Sequence, residues 1–317
     1  MAFQQIAIIG QGLIGSSIAR AARKFGAANQ ITATDISPQV RKKVAELGLA
    51  LVHESAEAAV QGADLVIMCV PVGQYGTVAK SIAPFLKAGS IITDVGSVKK
   101  AVVRDVTPFV SENISFIPSH PVAGTEQSGP ESGFADLFVD RWCIITPPAE
   151  TNLEDKLKLS LFWEDIGLHV EEMSPEQHDK VLALISHLPH LIAYTIVGTA
   201  SHHEESTDSA VVKYAAGGFR DFTRIAASNP TIWRDIFLNN SEAVLEMVSR
   251  FSEDLSLLVN AIRRGEGEVL FEQFTKSRIV RRRIVDAGQD TSAPDFGRQQ
   301  KSSSLGSLAR PYGAGDF

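Results

Sequence analysis

The sequence predicts an α/β fold: an N-terminal, doubly wound, mostly parallel sheet of the Rossmann type, followed by an all-helical dimerisation domain. Three observations carry this. Short apolar runs alternate with helical stretches from residue 5 to residue 173. A glycine-rich turn joins the first run to the first helix. After Ser174 strand signals stop and helical periodicity takes over. Alternating strands and helices imply crossover units and a parallel sheet.

The first strand is 5–9, and it runs into Gly10-Gln11-Gly12-Leu13-Ile14-Gly15 and a helix over 16–25. A second strand over 31–34 ends at Asp35, 20 residues beyond Gly15. In such a turn the first glycine permits the bend, the second lets a pyrophosphate approach the backbone, and the third lets helix and strand pack closely. The helix N-terminus offers free N–H groups to the phosphates. Asp35 is placed to accept ribose hydroxyls and to repel a 2′-phosphate, so NAD is expected and NADP less so. Candidate cofactor contacts are Gly10, Gly12, Leu13, Ile14, Gly15 and Asp35. Val70 and Pro71 join them, at the turn closing the next strand. Arg41, Lys42 and Lys43 read as a solvated helix face.

The alternation continues with a helix over 40–47 and an uninterrupted apolar strand over 65–70, of the kind buried on both faces. A helix at 75–86, a strand at 90–93 and a helix at 100–110 follow. The strand 114–117 opens into the polar, glycine-bearing stretch 119–129, SHPVAGTEQSG. A strand at 141–146, a helix at 152–166 and an edge strand at 169–173 complete the part. We expect a nucleotide-binding domain at 1–174, a helical domain at 175–287 and a disordered tail at 288–317, which lacks an apolar period. Ser174-Pro175-Glu176-Gln177 reads as a capping box opening the helical domain. Its long apolar stripes exceed what one small bundle needs, which favours a homodimer.

A net charge of −7 argues against nucleic acid or an anionic membrane as the main partner. With 2 cysteines there is no disulfide framework; Cys69 reads as a buried free thiol. No apolar stretch is expected to span a membrane and no signal peptide is read at the N-terminus, so the expected location is the cytoplasm. The partner is expected to be a small molecule.

Four clusters can meet at the sheet's carboxyl edge, where ligands bind in open α/β sheets. His120, on the loop after its strand, suits proton chemistry near neutral pH. Ser97 can hydrogen-bond the imidazole or a substrate hydroxyl, or cap the helix that follows. His187 and His190 share a helix face, and Pro189 interrupts the backbone ladder there. Their spacing is not that of a zinc site, so no metal is expected. Finally, Arg220, Asp221 and Arg224 follow Gly217-Gly218. Arginine suits bidentate carboxylate recognition, and Asp221 can steady Arg224. Trp233 reads as a core indole or a pocket wall.

GQGLIG with Asp35, DVGSVK (94–99), SHPVAGTEQSG (119–129), SHLPH (186–190) and FRDFTRIA followed by WRDIF (219–237) occur in order. Together they resemble the prephenate/arogenate (cyclohexadienyl) dehydrogenases of tyrosine biosynthesis. The resemblance implies hydride loss from the ring carbinol of prephenate or arogenate to the nicotinamide, with loss of carbon dioxide. It implies that His120 accepts the hydrogen bond of the ring hydroxyl and that Ser97 orients His120. It implies that Arg224 binds a substrate carboxylate, held by Asp179 and Asp221. His190 would line the pocket, with His187 and Trp233 in support. Glu126 would gate it, with Thr125 beside it. The rival readings are a β-hydroxyacid dehydrogenase, for which Lys213 is the nearest candidate acid/base, and a non-catalytic NAD-binding sensor.

Overall fold

A computed structural model describes residues 3–207 and 212–286. The tail expected over 288–317 lies outside the described residues. A parallel sheet is built from β1 (Phe3–Ile9), β2 (Ala28–Thr34), β3 (Leu51–Val52), β4 (Leu65–Met68), β5 (Ile91–Asp94) and β6 (Ser115–Phe116), in the order β3-β2-β1-β4-β5-β6. The order reverses between β1 and β4, the switch point at which such sheets open a crevice. β4 is buried at every position, because helices cover both faces.

The intervening helices are α1 (Leu13–Phe25), α2 (Pro38–Glu46), α3 (Ala56–Ala59), α4 (Tyr75–Ile82) and α5 (Lys100–Val106). Helix α1 buries Ile18, Ala19, Ala21 and Ala22 and stops at Gly26, whose φ of 67° suits a residue without Cβ. The Ser37 and Ser55 side chains accept backbone N–H groups at the starts of α2 and α3. Strand β3 and helix α3 are too short to register as periodic patterns. Helices expected to reach 86 and 110 end in 3₁₀ turns at Ala83–Phe85 and Thr107–Phe109, each containing a proline.

The chain then leaves the parallel sheet. β7 (Ser119–Pro121) pairs antiparallel with β8 (Arg141–Ile145), which pairs parallel with β9 (Leu168–Glu172) after α6 (Leu153–Asp165). His120 therefore lies on a strand of a second, three-stranded sheet, not on a free loop. Cys143 is buried and Cys69 only partly so; both are free thiols.

From Pro175 onward only helices and single turns occur among the described residues: α7 (Pro175–Leu182), a π-helical turn (Ala183–His187), α8 (Leu188–Thr207), α9 (Gly217–Thr223), α10 (Pro230–Asn239), α11 (Ser241–Arg264) and α12 (Gly267–Asp286). The Ser174 hydroxyl accepts the Gln177 N–H at 3.1 Å, as its capping box requires. The separate core cluster of this part is small, Ala183, Ala243 and Val244, while Trp233 and Ile236 bury themselves against the parallel-sheet part. Leu245, Leu257, Ile262, Phe271 and Phe274 stay exposed, and α12 buries nothing. One sequence expectation fails here: Pro175–Glu205 is long and apolar enough to cross a membrane by length and composition. Its buried groups Asp179, His178 and His187 are hydrogen-bonded within the protein instead, a use of polar groups that suits a packed helix.

Candidate active site

At the end of β1 the glycine turn is compressed by its neighbours. A Cβ on Gly10 would sit 2.3 Å from the Cys69 carbonyl oxygen, and one on Gly15 would sit 2.0 Å from the Gly10 oxygen. A Cβ on Gly12 would meet nothing within 4 Å. No side chain caps α1, so its first N–H groups remain available to an anion. Asp35 accepts the Gln11 N–H at 2.8 Å and the Ser37 N–H at 2.9 Å, which fixes its carboxylate beside the turn. Arg41 does not face solvent as a bare charge; it donates to the Asp35 and Ile36 carbonyls at 2.7 and 3.2 Å. Ile36 itself is 97% exposed. An uncapped helix end, an open glycine and an anchored carboxylate fit a dinucleotide. Val70 is partly buried and Pro71 exposed, at the turn closing β4.

At the end of β5 a buried ion pair ties strands together. Lys99 pairs with Asp94, both without exposed side-chain surface. Lys99 Nζ also donates to the Ser119 carbonyl at 2.7 Å, and the Ser119 N–H donates to Asp94 at 3.1 Å. The Ser119 hydroxyl bonds Thr93 at 2.7 Å and accepts from the Trp163 indole at 3.2 Å. Burial pushes the Asp94 carboxyl up and the Lys99 ammonium down, and their mutual attraction opposes both shifts. Sequence reasoning misses this pair; its one available signal is a lysine and an aspartate five apart in DVGSVK.

His120 follows directly. Its Nδ1 lies 2.8 Å from His178 Nε2, and His178 Nδ1 lies 2.8 Å from Asp179 Oδ1. Asp179 also accepts the Lys99 and Lys100 N–H groups at 2.7 and 3.0 Å, capping α5 from the helical part. Burial pushes His120 well below the usual imidazole range, and the neighbouring His178 and Lys99 act in the same direction. Burial likewise takes His178 down to about 2. His187 is taken to about 4, again by burial first, with Asp179 opposing. All three imidazoles are therefore neutral near pH 7. Asn240 Nδ2 lies 3.2 Å from His187 Nδ1 and donates to the Asp179 carbonyl at 2.8 Å.

Two sequence-derived roles are corrected. Ser97, expected to orient His120 and the substrate hydroxyl or to cap the next helix, makes no side-chain hydrogen bond among the described residues; Asp179 caps that helix and the His120 ring bonds His178. Asp179 is committed to those backbone groups and to His178, so it does not hold Arg224. Asp221 pairs with Arg220 at 3.3 Å, and both are exposed. Arg224 instead meets Glu126 at 2.9 Å, across 98 residues of chain. These two, with Phe219, Arg220 and Thr223, line an open cavity of about 430 Å³. The Thr125 hydroxyl accepts the Gln127 N–H at 3.1 Å, shaping the loop that carries Glu126. His190 stacks on Trp233 with centroids 3.5 Å apart, and its Nδ1 donates to the Ser186 carbonyl at 3.0 Å. Burial lowers it to about 4, with Arg224 contributing in the same direction. Sequence reasoning assigns His178 no role beyond a dismissed zinc site, although a His-Asp pair just inside a capped helix is its signal. Lys213 is exposed over the Tyr214 ring and joins none of these groups.

Comparison with known proteins agrees with this arrangement. The family profile described as "Prephenate dehydrogenase, nucleotide-binding domain" matches residues 18–172, and "Prephenate dehydrogenase, dimerization domain" matches 174–276. The chain is 44% identical over 280 residues to the cyclohexadienyl dehydrogenase of Zymomonas mobilis, covering 88% of this chain and 95% of that one. It is similar to the crystal structure of prephenate dehydrogenase from A. aeolicus in complex with hydroxyphenyl propionate and NAD+. The TM-score is 0.83 at 36% identity, covering 89% of this chain and 98% of that one. The arogenate dehydrogenase of Synechocystis aligns with a TM-score of 0.74 at 26% identity, over 89% and 100% of the two chains.

Proposed function

Because this chain belongs to the prephenate dehydrogenase family, we propose that it carries out the NAD-dependent oxidative decarboxylation of prephenate or arogenate, giving 4-hydroxyphenylpyruvate or tyrosine. The observation that carries the reading is the state of His120. Its ring is neutral and buried, Nδ1 is engaged, Nε2 has no hydrogen-bond partner among the described residues, and it stands off the carboxyl end of β5. A neutral imidazole with one open nitrogen is suited to accept a hydrogen bond from an alcohol being oxidised.

NAD+ supplies the hydride acceptor when bound. Gly12 and the N–H groups of Leu13 and Ile14 would receive its pyrophosphate, with Gly10 and Gly15 keeping the turn tight. Asp35 would accept the ribose hydroxyls, and Val70 and Pro71 would border the same crevice. Arg224 would take a substrate carboxylate, exchanging Glu126 for the ligand; this is how an acidic chain retains a cationic anchor. The stacked His190–Trp233 pair would form a flat wall for the ring. Loss of carbon dioxide makes the ring aromatic, so the protein's task reduces to positioning the substrate and polarising one hydroxyl.

We place the domain division between Glu172 and Pro175, where the last strand ends and α7 begins. We assign the exposed apolar faces of α11 and α12 to a homodimer contact, since α12 buries none of its apolar residues within the described part of the chain and Leu245, Leu257, Ile262, Phe271 and Phe274 stand exposed on these two helices. The test of the activity is direct: purified protein with NAD+ is offered prephenate, arogenate and a β-hydroxyacid, and reduced nicotinamide absorbance is followed. A signal with a cyclohexadienyl substrate is expected. A signal confined to the hydroxyacid, or none, overturns the reading.

A further inference from the structure

We propose that His178 is a positioning residue for the reaction: it links Asp179 to His120 and holds the His120 ring in the tautomer that leaves Nε2 unprotonated. The proposal rests on the reading of His120 as the hydroxyl's partner.

The argument runs from the carboxylate outward. Asp179 receives three N–H donors: Lys99 and His178 on Oδ1, and Lys100 on Oδ2. A carboxyl group surrounded by donors is the ionised, accepting form. His178 Nδ1, 2.8 Å from that carboxylate, must therefore carry the proton. His178 is neutral, since burial takes it to about 2, so its Nε2 holds a lone pair. That lone pair is 2.8 Å from His120 Nδ1. Two lone pairs cannot face each other at that distance, so His120 Nδ1 is the N–H and donates to His178. His120 is neutral as well, which leaves its proton-free nitrogen at Nε2, the one without a hydrogen-bond partner among the described residues. Each tautomer is thus dictated by the group behind it, the way outer hydrogen-bond partners fix imidazoles at working sites.

The carboxylate is itself immobilised. It caps α5 of the nucleotide-binding sheet while sitting on α7 of the helical part, 80 residues away in sequence. The Asn240 side chain donates to the Asp179 backbone carbonyl from the start of α11. The orientation of one ring therefore draws on three helices. The ring planes are 65° apart and the hydrogen bond joins ring nitrogen to ring nitrogen, so turning the His120 ring would break it, which restricts rotation as well as tautomer. No bond to His178 forms or breaks in the reaction; its contribution is the population of one His120 form.

The test uses full-length His178→Leu and His178→Gln, with His120→Asn alongside. Leucine cannot accept a hydrogen bond, whereas a glutamine amide oxygen can take the place of Nε2. In His178→Leu, kcat falls by about 10- to 100-fold, the range of outer-partner losses. KM for the cyclohexadienyl substrate and NAD+ affinity change by less than about threefold, as expected when ground-state binding is untouched. His178→Gln regains most of the lost kcat. In ¹⁵N-histidine spectra the wild-type His120 is the Nδ1–H tautomer, and this signature is lost in His178→Leu and kept in His178→Gln. Four results overturn the proposal: an unchanged kcat in His178→Leu; a loss confined to KM; equal losses in the Leu and Gln variants; or an Nε2–H tautomer for His120 in the wild type. The last needs no variant to fold. If His120→Asn itself turns over normally, the catalytic reading of His120 fails first, a result distinguishable from failure of His178 alone.

Discussion

Replacing Lys99 by methionine tests how much of the site depends on the buried pair beneath it. The substitution keeps most of the side-chain volume and removes the charge. It leaves Asp94 with no exposed surface and no cation, still accepting from the Gly96 and Ser119 N–H groups. Breaking a buried pair from one side costs about 3–5 kcal/mol. Asp94 can escape by taking up a proton, and for a carboxyl of ordinary pKa near 3.9 that costs about 1.4 kcal/mol per pH unit, or roughly 1.5 at pH 5 and 5.5 at pH 8. The penalty is therefore capped at the lower value in acid and reaches its full size in base. The sign follows from linkage: without Lys99 the folded pKa of Asp94 rises further above its unfolded value, so stability is retained at low pH and lost as pH rises. The assay is urea unfolding of wild type and Lys99→Met at pH 5 and pH 8, at matched protein concentration because a dimer's stability depends on it. Asp94→Asn/Lys99→Met should regain much of the loss at pH 8. A single variant within about 1 kcal/mol of wild type at pH 8 would refute the reasoning, because it would mean that Asp94 is solvated or that water replaces the ammonium.

Other outcomes follow from geometry already described. Gly12→Ala should leave stability within about 1 kcal/mol while weakening NAD+ at least about tenfold. Gly15→Ala should destabilise by about 1–3 kcal/mol, because the clashing atom is backbone. Calorimetric titration and thermal melts separate the two, and the reverse ranking would sink the assignment. Arg224→Ala should raise KM for the dianionic substrate by about tenfold or more with little change in kcat; a pure kcat loss would contradict a ground-state carboxylate contact. His120, His178 and His187 are held below the ordinary imidazole range, so their contribution to stability is whole above about pH 6.5 and is lost as pH falls. Near pH 5 the unfolded chain binds about three more protons at these rings. Asp94 and Asp179, raised by burial, work in the opposite sense, leaving a net slope of roughly 1–4 kcal/mol per pH unit. Flat or rising stability between pH 7 and pH 5 in urea titrations would show the rings are not buried neutral.

What the sequence made legible was local or periodic. The glycine turn, Asp35, the apolar β4 and the capped start of α7 each declare themselves within a dozen residues. The two-residue strand β3 left no period to detect. The second sheet was hidden because its pairing joins Ser119 to Ile145, and short strands at that separation carry no mark of their partner. The site divides the same way. Arg224 and Glu126 were both singled out, yet not as a pair, because nothing local brings 126 to 224. The resemblance pairs Asp179 with Arg224, and only the docking of α7 onto α5 supplies the backbone N–H groups that satisfy Asp179 instead. Lys99 carries no local mark of burial, because only the packing of the fold around it removes its water.

The π-helical turn at Ala183–His187 has a consequence for angular phase. His178 and His190 are twelve residues apart, and in an uninterrupted α-helix twelve steps of about 100° leave them about 120° out of register. A π turn accommodates one extra residue and so sets the downstream helix back by about 100°. The two imidazoles are thereby brought within about 20° of a common face, one meeting His120 and the other lying on Trp233. Pro189, which has no N–H to give the preceding turn, makes that slip inexpensive. The turn acts as a phase shifter: deleting a single residue from it would leave α7 docked as before and rotate His190, with everything beyond it, out of the site.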